Sequence, residues 1–260
     1  MSDSPAGPDW WLASDGKWYP PTSQPGSAPP GPKPAWVGPA LSGWLQGLFW
    51  VVAVLCALGA AATLRALSAF NAYASSSSLG RWSAWVDADD AFALVVGIAG
   101  VLAIPIGVLL VIWTYKVSQT VDRFAPVHRS WNSGWAIGAW FIPLGGIVLC
   151  KLVLNELERL AFAPRSNGVV TPEWRRQGTR PLGWIWWMSY MGGVALVLAG
   201  GISVGDSGGH FNAADSEIRT YYILNAIGLV VFTAAAASGA LYVREVSRPL
   251  SPRALGDAWH

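Results

Sequence analysis

Long apolar runs separated by short polar segments dominate the chain from residue 41 onward. Four of these runs have about 20 residues or more, which is the helix length needed to cross the roughly 30 Å hydrocarbon core of a bilayer. They lie at residues 44–64, 91–115, 182–204 and 221–243, and none contains a charged residue. The pattern predicts an all-α integral membrane protein whose four transmembrane helices lie within residues 41–248, followed by a short tail at 249–260.

A fifth apolar run, at residues 134–150, differs from the other four. It is shorter, and a proline and two glycines at positions that weaken a helix interrupt it. Cytoplasmic loops collect Lys and Arg. Four spans with the N-terminus inside leave only three of the 17 Lys and Arg residues outside, whereas five spans leave six. We therefore expect four spans in the cell membrane, with both termini cytoplasmic. The three outside cations are then Arg65, Arg81 and Arg219.

Residues 147–162 have the 3.6-residue period of an amphipathic helix. One arc of the helix is polar and the opposite arc is apolar, with Glu156 at the edge. The polar arc consists of Lys151, Asn155, Glu158 and Arg159. Residues 134–162 are thus predicted to form an interfacial or re-entrant element that turns at Pro143. An ordinary cytosolic cap helix and a fifth span are the alternatives.

The first 40 residues form a polar tail, and residues 20–39 hold eight prolines. Such a composition predicts a disordered, extended chain. Asp15 and Gly16 form a hairpin turn signal between two aromatic pairs. These pairs, the candidate partner-binding residues, are Trp10, Trp11, Trp18 and Tyr19. The first apolar run begins only after this tail, so we expect it to act as an uncleaved signal anchor.

Composition narrows the function classes. Hydrophobic residues make up 53% of the chain and charged residues 12%, about half the charged share of a soluble domain. The net charge of +2 gives no reason to expect a nucleic-acid partner. Cys56 and Cys150 lie in apolar runs and are expected to be packing residues. We find no nucleophile–base pair, phosphate loop or metal-ligand spacing. We therefore predict no catalytic, cofactor-binding or metal-binding residues, and a protein that is not an enzyme.

Several short motifs resemble those of a known family. They are LVIWTYK at 110–116, HRS at 128–130, GWAIGAWFIP at 134–143, ELER at 156–159 and the tryptophan cluster at 184–187. In combination they resemble bacterial membrane proteins of the domain of unknown function 4328 family, over roughly residues 45–245. Gly146 stands where members often have Asn, and Cys150 where a second proline often follows. The tryptophan-rich run at 10–21 resembles a short module fused to many actinobacterial membrane proteins. The resemblance implies an architecture and no established activity.

Two functional hypotheses follow. The first is a non-enzymatic scaffold or envelope-associated protein, whose tail contacts a protein partner and whose basic inner face contacts anionic lipids. The alternative is a small-solute or lipid transporter or channel, with the turn at Pro143 lining the path. Small residues along the spans could also serve homo-oligomer formation. The candidate functional or lipid-facing residues are His128, Arg129, Trp135, Trp140, Pro143, Lys151, Glu156 and Arg159.

Overall fold

The computed structural model describes residues 10–12, 16–19, 37–124, 129–142, 145–166, 169–205 and 213–251. The chain divides into two units, Met1–Ala35 and Trp36–His260.

The described part of the first unit is a small antiparallel hairpin. Strand β1 spans Trp11–Leu12 and strand β2 spans Trp18–Tyr19, with Trp11 opposite Tyr19. Gly16 has a φ of 75°, in the left-handed region that glycine adopts without steric cost. The two-stranded aromatic motif predicted around this turn is therefore present.

Four long helices dominate the second unit. Helix α1 spans Pro39–Ser75, α2 spans Leu79–Phe124, α5 spans Pro181–Ser203 and α6 spans Asp215–Ser247. All four are long and apolar enough to cross a membrane. They contain the four predicted spans, apart from residue 204 immediately after α5, and this confirms the all-α membrane architecture with four candidate spans.

The helices extend well beyond the predicted spans. Helix α2 has 46 residues, which corresponds to about 69 Å at the usual helical rise, more than twice the hydrocarbon thickness. Residues 65–90, which join the first two predicted spans, are helical except at 76–78. Hydropathy alone does not separate a polar stretch of helix from a loop.

The long helices pack in a row in the order α2, α1, α6, α5. The extensive helix–helix interfaces are α1 with α2, α1 with α6, and α5 with α6. Consequently α6 is central: 56% of an apolar 18-residue stretch of α6 is buried, against 17% of the corresponding stretch of α2. Large apolar side chains such as Val101 and Ile104 are exposed. Exposed apolar side chains of this kind are expected for helices solvated by lipid.

Glycine permits close approach between α5 and α6. A Cβ on Gly193 would lie 3.0 Å from ring atoms of Phe232, and one on Gly228 would lie 2.9 Å from Val197 Cγ2. Small residues at such contacts bring helix backbones together and increase van der Waals packing. These two glycines therefore set the spacing of this helix pair.

Short elements connect α2 to α5. Helix α3 spans Trp135–Gly138 and continues as a 3₁₀ turn over Ala139–Phe141, and α4 spans Gly145–Phe162. Strands β3 and β4, at Arg165–Ser166 and Val169–Val170, form a second small hairpin. Two further 3₁₀ turns lie at Pro172–Arg176, before α5, and Arg248–Leu250, after α6.

The helix predicted at 147–162 is present as α4, which is not among the candidate spans. The predicted turning point, Pro143, lies outside the described residues. Just after it, the Gly146 N–H donates to the Ile142 carbonyl at 2.8 Å. A Cβ on Gly146 would lie only 2.6 Å from the Ala139 carbonyl oxygen. Glycine is thus required where the start of α4 meets the 3₁₀ turn at Ala139–Phe141.

The interface between α5 and α6 can be tested by adding one methyl group. Gly193→Ala should lower the free energy of unfolding by about 1–3 kcal/mol, because the methyl overpacks a rigid ring. The matched control is Gly192→Ala, whose Cβ would meet Val231 at an ordinary 3.8 Å. Denaturant titration of the purified protein in detergent checks both. Equal midpoints for the two variants would show that Gly193 is not a close-packing position.

Candidate functional site

A buried ion-pair network ties the segment before α3 to α4. Arg129 Nε donates to Glu156 Oε1 at 3.3 Å, and the two side chains are buried. The backbone N–H groups of Ser130 and Trp131 also donate to Glu156, at 3.1 and 3.2 Å. Arg129 further pairs with Asp122 of α2. We call this set of contacts the Arg129 network.

The opposite side of α4 carries a second pair of buried charges. Glu158 is only 2% exposed and Lys151 only 4% exposed. The Lys151 ammonium lies over the Trp184 ring, 4.7 Å from its centroid, in a cation–π contact. The Glu158 carboxylate accepts a hydrogen bond from the Arg180 backbone N–H, immediately before α5. It thus places an anion at the positive end of the α5 helix dipole.

Gly183 lies beside both charges of this pair. A Cβ at Gly183 would lie 3.0 Å from Glu158 Oε2, 3.1 Å from Lys151 Nζ and 2.9 Å from Tyr242 Cε2. Among the described residues, Glu158 Oε2 and Asn155 Oδ1 are buried without a hydrogen-bond partner. Lys151 and Glu158, both in the polar arc of α4, are therefore buried against α5 and α6.

Burial shifts the protonation of both charges. It lowers the pKa of the Lys151 ammonium to about 8, while the Glu158 carboxylate acts in the opposite direction. Burial also raises the pKa of Glu158, against the effects of the Arg180 N–H and the Lys151 ammonium. Desolvation disfavours the charged forms. Each group is therefore closer to its neutral form than it would be in water.

A partly open cavity of about 270 Å³ lies beside Glu158. It is formed where the end of α4 faces the start of α5. Its walls are Glu158, Arg159, Phe162, Gln177, Gly178 and Arg180. The Arg180 guanidinium lies 3.8 Å from the Phe162 ring centroid and pairs with Glu245 of α6. The cavity thus has two arginines and one carboxylate in its wall.

The candidate residues predicted from the sequence lie at several separate sites in the structure. Arg129 and Glu156 are together in the Arg129 network, whereas Lys151 lies in the second charged pair and Arg159 in the cavity wall. Trp135 is exposed and Trp140 is half-buried. His128 and Pro143 lie outside the described residues.

In the N-terminal hairpin, Trp10, Trp18 and Tyr19 are half-buried, and Trp11 is in β1. Their roles stay predictions.

Sequence reasoning missed a polar cluster between α2 and α6. The Tyr222 hydroxyl donates to Asp89 Oδ1 at 2.7 Å and accepts from Trp85 Nε1 at 2.8 Å, and Asp89 is buried. Asp89 lies between the first two predicted spans, at residues 44–64 and 91–115. The sequence does indicate a helix here, because Trp85, Asp89 and Phe92 recur at the spacing of one helix face.

The apolar row of helices, with a charged helix packed at one end, defines a multi-pass all-α membrane protein. Within that class, the chain belongs to the family described as Domain of unknown function (DUF4328), whose sequence profile matches residues 81–248. The suspected family is thereby confirmed, and the match begins within α2 and leaves out α1. No curated protein matches the chain, and no solved structure matches it.

The Arg129 network generates a stability prediction. Glu156→Ala should lower the free energy of unfolding by about 3–5 kcal/mol, because it leaves Arg129 buried without one of its carboxylates. The measurement is a denaturant titration in detergent.

The control for this prediction is Glu173→Ala, which removes an exposed acid and should change stability by less than about 0.5 kcal/mol. The double variant Arg129→Met, Glu156→Met should lose less than the sum of its single changes. Strict additivity would contradict a direct coupling between the two residues.

Proposed function

We propose that this protein is a non-enzymatic membrane scaffold, anchored by four spans, whose N-terminal aromatic hairpin binds a protein partner. One observation supports this above all: the two acidic side chains of α4 hold neighbouring segments together. Glu156 binds Arg129 and backbone N–H groups, and Glu158 binds the start of α5. A transport path would instead need polar groups facing an open route.

The proposed topology has both termini on the cytoplasmic side. The start of α1, the end of α2, the start of α5 and the end of α6 share one apolar cluster with α4. The end of α1 and the start of α2 share another cluster with the start of α6. The helices therefore alternate in direction. Because most Lys and Arg flank the α4 end, we assign that end to the cytoplasm.

The segment from α3 to α4 is proposed to be re-entrant. Its apolar side chains near the turn are exposed, with Phe141 at 74% and Val148 at 60%. Two to three turns further along α4, Glu156 and Glu158 are buried within the protein. A segment with an apolar tip and a polar base is suited to entering lipid from one side and returning.

Topology is tested by labelling single cysteines introduced into a variant lacking Cys56 and Cys150. We expect Ser77→Cys to react with a membrane-impermeant maleimide in intact cells, because Ser77 lies in the exposed connection between α1 and α2. Arg176→Cys should react only after permeabilisation, and Val148→Cys in neither condition. Labelling of Arg176→Cys in intact cells would overturn the topology.

Partner binding is tested with the full-length protein by crosslinking in its native membranes. Trp18→Ala should reduce the crosslinked partner at least tenfold, since interface tryptophans often contribute 2 kcal/mol or more, or about 30-fold in affinity. Lys17→Gln, at the adjacent exposed position, is the matched control and should have little effect. An unchanged crosslinking pattern for Trp18→Ala would contradict the hairpin's role. Solute flux in proteoliposomes that changes with Gly146→Ala would support a channel instead.

A further inference from the structure

We propose that the cavity between α4 and the start of α5 binds the phosphodiester headgroup of a membrane phospholipid, preferring headgroups that carry a hydrogen-bond donor. This inference rests on the proposed function, which places the start of α5 at the cytoplasmic membrane surface. It adds a specific site and a ligand chemistry to the general attraction of a basic surface for anionic lipid.

The two arginines of the wall supply the phosphate contacts. Arg180 is held in place by the Phe162 ring and by Glu245. Arg159 differs from Arg129, whose donors meet Glu156, Asp122 and Ser118. Among the described residues, Arg159 Nε is buried and lacks a hydrogen-bond partner. A buried donor without an acceptor is costly, and a phosphate offers the acceptors that a guanidinium binds best.

The carboxylate in the wall restricts which phosphates fit. Glu158 would repel a ligand that brings negative charge alone, and its Oε2 has no hydrogen-bond partner among the described residues. An ammonium near the phosphate offsets the repulsion and supplies a donor to the carboxylate, whereas a hydroxyl supplies the donor. Phosphatidylethanolamine and phosphatidylglycerol have such a donor, whereas phosphatidylcholine has none. The carboxylate acceptor in the wall therefore favours the first two.

The position of the cavity selects a lipid over a soluble phosphate. Pro181 begins the candidate span α5, so the cavity lies where that helix enters the membrane. Trp184, 43% exposed, is one turn further along α5, at the depth where tryptophan is enriched in membrane proteins. Ile185 and Met188 are exposed on the next turn. A headgroup in the cavity would thus have its acyl chains beside an apolar helix face.

Native mass spectrometry of the full-length protein in a non-ionic detergent tests the inference. Phosphatidylethanolamine, phosphatidylglycerol and phosphatidylcholine with identical acyl chains are titrated separately. We expect one copy of the first two to be retained at least tenfold more tightly than phosphatidylcholine. Arg159→Gln should weaken that binding at least tenfold, while Arg159→Lys should lose less because the positive charge remains.

Two further variants sharpen the test. Arg176→Gln removes an exposed arginine from the segment before α5 without altering the cavity wall, so binding should be unchanged. Glu158→Gln keeps an acceptor for the Arg180 N–H but removes the charge, and should diminish the preference for phosphatidylethanolamine over phosphatidylcholine. Variants are compared only after their unfolding midpoints are shown to match that of the unaltered protein.

Each outcome bears on the proposal. Equal retention of all three lipids, or unchanged binding by Arg159→Gln, would overturn it. Displacement of the lipid by millimolar inorganic phosphate would show a soluble-phosphate site in its place. If Arg176→Cys stays inaccessible in intact cells and lipid binding still fails, only this inference falls. If the cysteine is accessible from outside, the proposed topology fails independently of the binding result.

Discussion

The structure depends on how one charged helix is accommodated beside four apolar ones. Helix α4 carries Lys151, Glu156, Glu158 and Arg159 within nine residues, and such groups are costly to expose to lipid or to bury unpaired. Residues two apart on a helix point in nearly opposite directions. Glu156 therefore reaches the segment before α3, and Glu158 reaches the start of α5. In this way the two acids hold α4 between segments that are distant in sequence.

The two ends of the helix row are stabilised by different chemistry. At the α4 end, ion pairs and backbone N–H groups meet carboxylates. At the other end, Tyr222 links Trp85 to Asp89 within an aromatic cluster that includes Phe70 and Phe92. Hydrogen bonds of this kind gain strength where water is excluded. Between the ends, α5 and α6 approach closely at glycines, which is the packing expected where lipid provides no hydrophobic driving force.

How far the sequence predicted this fold depends on the range of the interactions involved. The four spans and the turn at Gly16 were predictable, because apolar length and turn chemistry are local properties. The periodicity of 147–162 identified α4, but a period tells which residues share a face and not what covers that face. The contact of Glu158 with the Arg180 N–H joins residues 22 positions apart. The need for glycine at 183 follows only from side chains brought there by α4 and α6.

The dependence on contacts between distant residues also explains why the sequence did not show which candidate site residues are buried in the protein. A basic residue flanking a span has the same sequence signature whether it faces a headgroup or an internal acid, so Arg129 and Arg159 could not be told apart in advance. The difference arises from their partners: Arg129 is matched by two carboxylates, while Arg159 retains a buried donor without a partner among the described residues. The apolar faces of the helices have few chemical groups that could distinguish one lipid from another. Recognition of a particular lipid is therefore best located in the polar layer at the α4 end, where, among the described residues, Arg159 Nε lacks an acceptor and Glu158 Oε2 lacks a donor.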